Sequence, residues 1–263
     1  MENKTEMWDK VWKNKDWTPS WDYLSQVILS TLSKESKGLK GKKVLEAGSG
    51  SGRISMRIAK KGGKVTLLDI SPEAISLSRK NFKKNNLTAE FQKGSLFKIP
   101  SKNNTYDIVW NAGVIEHFYK HRQEKAIKEM LRICKKGGLV ITLNPYAGSI
   151  LHTLGKAVVV KLAKEYPFGR EVPIKSLKWL ENRINTKLKK KEYSIGFILL
   201  WIGALKRVLL IIKSKILFKL SLTLNSMACS LDKSRLGSPI RTLDTSLSKI
   251  FGGYLLVSIF EKK

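Results

Sequence analysis

The sequence is short of the residues that staple or metallate a protein. Cys134 and Cys229 are its only cysteines, far apart and without a C-x-x-C spacing, so neither a disulfide framework nor a zinc site is expected. That usage suits a reducing cytoplasm. The first residues, MENKTEMWDK, lack the apolar core of a secretory signal. Acidic residues are scarce too: 21 Asp and Glu face 50 Lys and Arg, giving a formal net charge of +29. Such an excess draws anions, nucleic acid or anionic lipid among them. The lysines are spread over the whole chain instead of forming one basic arm, which is the pattern of a solvating surface and makes nucleic acid the weaker candidate.

An uninterrupted apolar span is also missing. The greasiest stretch, residues 195–225, is broken by Lys206 and Arg207 and then by Lys213, Lys215 and Lys219. A basic residue at the centre of a span costs about 2.5–3.5 kcal/mol on insertion. This segment therefore reads as a basic, apolar helical insertion. It would lie against an anionic membrane surface, cap a pocket or form a dimer interface. Finally, the dinucleotide fingerprint G-x-G-x-x-G is incomplete: counted from Gly48 it needs glycine at 53, where the chain has Arg53.

What is present starts at residues 44–52, VLEAGSGSG. Val44 and Leu45 end an apolar strand, Glu46 marks its exit, and Gly48, Gly50 and Gly52 follow at alternate positions. Glycine is needed where the backbone turns sharply and a ligand comes close. A helix follows from about residue 53, with Ile54, Ile58 and Ala59 on its buried side and Gly62-Gly63 as its stop. Residues 65–70 make a second strand ending in Asp69, so the pair forms a βαβ unit with its ligand site at the strand C-termini. An acidic residue there accepts hydrogen bonds from both ribose hydroxyls. Ser71-Pro72-Glu73 supplies its own helix start.

Residues 89–92 form a short third strand, followed by Lys93-Gly94-Ser95-Leu96. The fourth strand is YDIVW at 106–110, with Asn111 after it and VIEHF at 114–118. A stripe of Ala126, Ile127, Met130, Leu131 and Cys134 predicts a helix that stops at Lys135-Lys136-Gly137-Gly138. A fifth strand is expected at 139–143.

Five motifs in this order, across residues 42–146, resemble class I S-adenosylmethionine-dependent methyltransferases of the small-molecule type. The resemblance implies a Rossmann-like α/β fold, a mostly parallel seven-stranded sheet with helices on both faces and an antiparallel last strand. It implies S-adenosylmethionine as cofactor, held by Glu46, Gly48, Gly50, Asp69, Ser95, Leu96 and Asn111. Ser95 stands where the family usually has an aspartate for the adenine amine, and Leu96 offers a backbone N–H and an apolar contact. Glu46 would stabilise the loop or meet the methionine amino group, and Asn111 would face the methionine end with its backbone or its side chain. His117 is the candidate general base, with His121 read as surface and His152 as a weaker candidate. Glu116 would orient cofactor or substrate. Tyr146 is placed to line the acceptor site. Asn144-Pro145-Tyr146 has one proline, where the adenine-N6 and glutamine methyltransferases carry two, so it reads as a strand exit at the pocket rim.

Around that core, residues 1–36 read as an aromatic-rich helical lid and 37–149 as the cofactor-binding core. Residues 150–263 read as an acceptor-side region with a sixth strand within 189–197 and a final strand at 255–260. Trp8, Trp12, Trp17 and Trp21 crowd the lid. Trp12 is the residue expected to meet a sulfonium or substrate by cation–π attraction. The expected activity is methyl transfer to a small-molecule or lipid-like acceptor. RNA methylation, and a non-catalytic cofactor-binding or interaction module, are the competing readings. An NAD enzyme is disfavoured by Arg53.

Overall fold

A computed structural model of the chain describes residues 4–13, 22–149, 171–184, 192–197 and 252–263, with isolated positions between 223 and 250. Seven strands form one sheet: β1 (Lys43–Ala47), β2 (Lys64–Asp69), β3 (Glu90–Lys93), β4 (Tyr106–Ala112), β5 (Cys134–Pro145), β6 (Tyr193–Ile195) and β7 (Leu255–Glu261). Their order across the sheet is β3-β2-β1-β4-β5-β7-β6. Strands β1 to β5 pair in parallel, whereas β7 runs antiparallel between β5 and β6. The mixed seven-stranded sheet expected from the motifs is therefore present, and the chain order reverses beside β1. A ligand crevice opens at such a reversal.

Helices cover both faces because the inner strands are apolar on both sides. On one face α2 (Tyr23–Glu35), α3 (Arg53–Lys60) and α4 (Pro72–Lys84) pack Ile28, Leu32, Ile58 and Phe82 against Val44, Leu67 and Trp110. On the other, α5 (Lys120–Ile133) packs Ala126, Ile127 and Met130 against Leu45, Val109 and Val140. Each fully buried aliphatic side chain contributes about 1.5–3 kcal/mol. Helix starts are chemically marked. The Asp22 carboxylate accepts from Ser25 N at 2.8 Å, and Ser71 Oγ accepts from Ala74 N at 3.1 Å.

The α5–β5 corner differs from its sequence reading. The helix ends at Ile133, and Lys135–Gly138 is extended and belongs to β5. Cys134 already pairs with Tyr106, and Gly137 N donates to Lys262 O at 2.7 Å. Strand partners on both sides therefore take up backbone groups that a helix stop would have left to solvent. Gly137 supplies a positive φ of 70° inside this irregular stretch.

Helix α1 (Lys4–Lys13) lies against α4. Most of the 195–225 insertion, Trp17, Trp21 and His152 lie outside the described residues. No helix among the described residues is long and apolar enough to cross a membrane.

Candidate active site

The turn after β1 is built around two missing β-carbons. Gly48 has φ +78°, and a Cβ there would meet Val114 Cγ2 at 2.6 Å. Gly50 has φ +51°, and its Cβ would fall 2.4 Å from the Trp12 ring. Only glycine accepts both the positive φ and the close approach. The loop amides are then consumed by the end of β2. Gly48 N and Ser49 N donate to Leu68 O at 2.8 and 3.0 Å, and Gly50 N donates to Asp69 Oδ2 at 2.9 Å. Three successive N–H groups that would cradle a phosphate in a dinucleotide site are thus already bonded within the protein.

Asp69 is buried and holds the loop with one oxygen while the other accepts from Ser71 N at 2.9 Å. Burial raises its carboxyl above the ordinary range, against the backbone bonds from Ser71 and Gly50 that favour the charged form, with Asp9 adding to the rise. Glu46 is buried beside it and accepts from Ser55 Oγ at 2.5 Å. Burial pushes Glu46 to about 8, with the Ser55 bond and the Arg53 charge opposing the rise. A carboxyl in that state ionises when a cation arrives and is otherwise neutral near pH 7.

These groups border a cavity of about 1150 Å³ at the C-terminal ends of the parallel strands. Glu46, Gly48, Gly50, Asp69, Ser95, Leu96, Trp12 and His117 all line it. Ser95 Oγ accepts from Phe97 N at 3.2 Å, which shapes the corner after β3. His117 sits in a short 3-10 turn, Ile115–His117, with Nε2 4.0 Å from Glu116 Oε1. Its ring meets Trp8 edge-on at 5.2 Å. His121, read as surface, is exposed and stacks on Tyr119 at the cavity's edge.

Two expected residues point elsewhere. Asn111 is fully buried and its Nδ2 contacts Met130 Sδ of α5 at 3.4 Å, while its neighbour Ala112 lines the cavity. Strand side chains alternate, so one residue decides the face. Tyr146 packs with the α5-side core, near Gly148, and Pro145 takes the cavity wall instead. The tyrosines that line the cavity are Tyr119, just before α5, and Tyr254, just before β7.

Helix α1 covers the glycine loop. Asp9 Oδ1 accepts from Ser71 Oγ at 2.5 Å, and Lys13 Nζ lies 3.7 Å from Glu73. Trp8 reaches His117 and Trp12 rests on Gly50, so the middle and the C-terminal turn of the helix touch the cavity's lining. Sequence reasoning passed over Arg53, Glu171 and Tyr254 as lining residues. Glu171 and Tyr254 come from segments without a motif. Val172 N, however, donates to Glu116 O at 3.1 Å and ties residue 171 to the His117 turn. Among the described residues no grouping of His, Cys, Asp and Glu is arranged to hold a metal ion.

Comparison with known proteins adds independent findings. Residues 44–138 match the family model described as a methyltransferase domain. The ubiquinone biosynthesis O-methyltransferase of Pasteurella multocida is 28% identical over 130 residues, which cover 44% of this chain and 52% of that protein. The chain spans about half the length of the curated relatives it matches. Among solved structures, magnesium protoporphyrin IX methyltransferase from Synechocystis, with bound SAH, superposes with a TM-score of 0.52 at 17% identity, covering 70% of this chain and 85% of that one. The [4+2]-cyclase SpnF gives a TM-score of 0.57 at 14% identity, covering 98% and 92%. At these identities the structural likenesses speak for the fold.

Proposed function

We propose that this chain, whose residues 44–138 form a methyltransferase domain, moves a methyl group from S-adenosylmethionine to a small-molecule acceptor. The observation that carries the reading is the glycine loop whose amides are already bonded to Leu68 and Asp69. That loop suits an adenosine ligand that brings no phosphate. Asp69 keeps lone pairs for the ribose diol, since each oxygen accepts one backbone bond. Ser95 and Leu96 border the adenine end, and Glu46 borders the methionyl end.

The chemistry asks little of the side chains beyond placement. The acceptor's lone pair attacks the methyl carbon in line, the carbon–sulfur bond breaks, and its electron pair returns to sulfur as a neutral thioether. With so good a leaving group, positioning and exclusion of water supply much of the acceleration. A hydroxyl or cationic amine must also lose a proton. His117 is our candidate for taking it, because the turn after β4 brings its ring to the cavity wall. The resemblance to an O-methyltransferase of ubiquinone biosynthesis supports a small-molecule or lipid-like acceptor.

Calorimetry with S-adenosylmethionine, its demethylated product and NAD tests the donor. Tight binding of the two sulfur compounds is expected, and binding of NAD alone would overturn the reading. Incubating methyl-labelled donor with fractionated extract then tests the acceptor. Label should enter the small-metabolite or lipid fraction. Label in RNA would replace the acceptor class, and donor binding without label transfer would leave a non-methylating protein.

A further inference from the structure

Resting on that donor reading, we propose that the acceptor is an organic ammonium, seated at Glu171 and Glu116, and that its nitrogen receives the methyl group. The cavity reverses the sign of the molecule around it. Among the described residues it is lined by four of the chain's 21 acidic residues, whereas of the 50 Lys and Arg only Arg53 and Arg122 reach it. Two of the four, Glu46 and Asp69, stand at the ends of β1 and β2, where the donor is placed. The other two follow β4 and β5, on the opposite side of β1 in the sheet order. Neither arginine belongs to that side. Arg53 opens α3 after the glycine loop, and Arg122 is exposed and lies over the Phe97 ring at 5.0 Å, at the corner after β3.

Backbone bonds place Glu171. Val172 N donates to Glu116 O at 3.1 Å and Ile174 N donates to Pro145 O at 2.8 Å, so the segment is tied to the turn after β4 and to the end of β5. Tyr146 N donates to Tyr254 O at 3.0 Å, which brings Tyr254 to the same wall. Glu116 is only 2% exposed and still lines the cavity, with Oε1 4.0 Å from His117 Nε2. The rings of Trp8, Phe118 and Tyr254 line it as well, and aromatic faces attract a desolvated cation. A carboxylate has about four lone-pair sites on its two oxygens, so a contact within the protein leaves sites for an ammonium.

Charge then separates nitrogen from oxygen as the acceptor atom. A hydroxyl that gives up its proton becomes an anion, which two neighbouring carboxylates disfavour. An ammonium that passes one proton to His117 becomes a neutral amine. Its lone pair forms the bond to the methyl carbon while the carbon–sulfur pair returns to sulfur, and the nitrogen regains its positive charge. Carboxylates fixed beside that nitrogen stabilise the charge as it grows in the transition state. They also offset the repulsion between a cationic donor and a cationic acceptor held in one cavity.

Three probes of one shape and different charge test this at neutral pH. The full-length protein is saturated with S-adenosylhomocysteine and titrated with benzylamine, benzyl alcohol and benzoate. Benzylamine, a cation at that pH, should bind at least about tenfold more tightly than the other two. Glu171→Gln keeps the shape of the side chain and removes its charge. It should abolish that preference and leave the affinity for S-adenosylhomocysteine unchanged. Equal binding of the three probes, a preference for benzoate, or no binding of benzylamine would overturn the proposal while the donor reading stands. So would a Glu171→Gln variant that keeps the preference, or one that loses affinity for S-adenosylmethionine alone, since the carboxylate would then serve the donor's sulfonium. Should Glu171→Gln fail to fold, Tyr254→Leu removes a ring from the same wall and should weaken benzylamine more than benzyl alcohol; equal losses would overturn the seat. If the wild type does not bind S-adenosylhomocysteine, the donor reading falls and the ammonium seat falls with it.

Discussion

Adding one methyl group at Gly50 demands a backbone that L-residues avoid and a space that Trp12 fills. Gly50→Ala should cost about 1–2 kcal/mol from the left-handed backbone alone. The collision with the indole adds to it. We expect a lower midpoint of thermal unfolding, and donor affinity reduced at least about tenfold by calorimetry if the loop shifts. Glu46 gives a second test, through protons. Its folded pKa, about 8, is raised above the ordinary value of 4.5. The stability it contributes is therefore fully present below 4.5 and is lost as pH rises through 8. Melting midpoints should fall across that window, and Glu46→Gln should flatten this part of the profile. Since an arriving ammonium calls for the carboxylate, donor binding near neutral pH should also release a proton. Calorimetric enthalpies would then differ between buffers of unlike ionisation heat, and less so for Glu46→Gln.

Which of these residues were legible in advance follows from what fixed them. Gly48, Gly50 and Asp69 are dictated by backbone shape and by the end of a strand, and both leave marks in sequence. Strand parity puts the Asn111 side chain on the α5 side, which period-two counting along YDIVWNA can resolve, because Ile108, Trp110 and Ala112 share the other face. Tyr146 was misplaced because a chain leaving a strand keeps no parity. Arg53 was noticed only as a glycine that was not there.

At the scale of elements, α1 is the piece whose role most needs a test. Its tryptophans give it a face against His117 and Gly50, while the Lys13–Glu73 pair is largely exposed and worth about 0–1 kcal/mol at most. The aromatic contacts should therefore dominate its docking. Trp12→Ala is expected to weaken donor binding several-fold, whereas Lys13→Ala should change it little. Unchanged affinity and turnover in Trp12→Ala would refute a covering role. The alternating glycines, the Ser-Pro start of α4 and the apolar stripe of α5 made the core elements readable. The β5 corner was not, because Lys135–Gly138 owes its extended shape to partners at residues 106 and 262, far away in the chain. The short β6, Tyr193–Ile195, falls inside the stretch 189–197 expected for it, although three residues are too few to mark its bounds by period.

For the molecule as a whole, charge sets a further expectation. A formal +29 repels itself, and compaction pays for that repulsion. Salt screens it beyond about 8–10 Å, but also weakens ion pairs such as Lys128–Glu124 and Arg183–Glu124. Those pairs are solvent-accessible and contribute little, so relief of the repulsion should win. Raising salt from low to moderate concentration should raise the thermal midpoint, and a fall would mean the described ion pairs matter more than their exposure implies. The sheet order was legible at this scale because the five motifs come in the order of strands β1 to β5. The region between residues 146 and 255 carries no comparable series, so its arrangement could not be read in the same way.

The indole resting on the loop after β1 has one more outcome, in time. With the donor seated as proposed, Trp12 and the first helix lie over the loop that holds it, and the expectation is that they must shift before its spent form departs. Departure, and not bond-making, then sets the pace of repeated cycles. Mixed rapidly with excess substrates, the protein should give one quick equivalent of methylated product and then a slow steady climb.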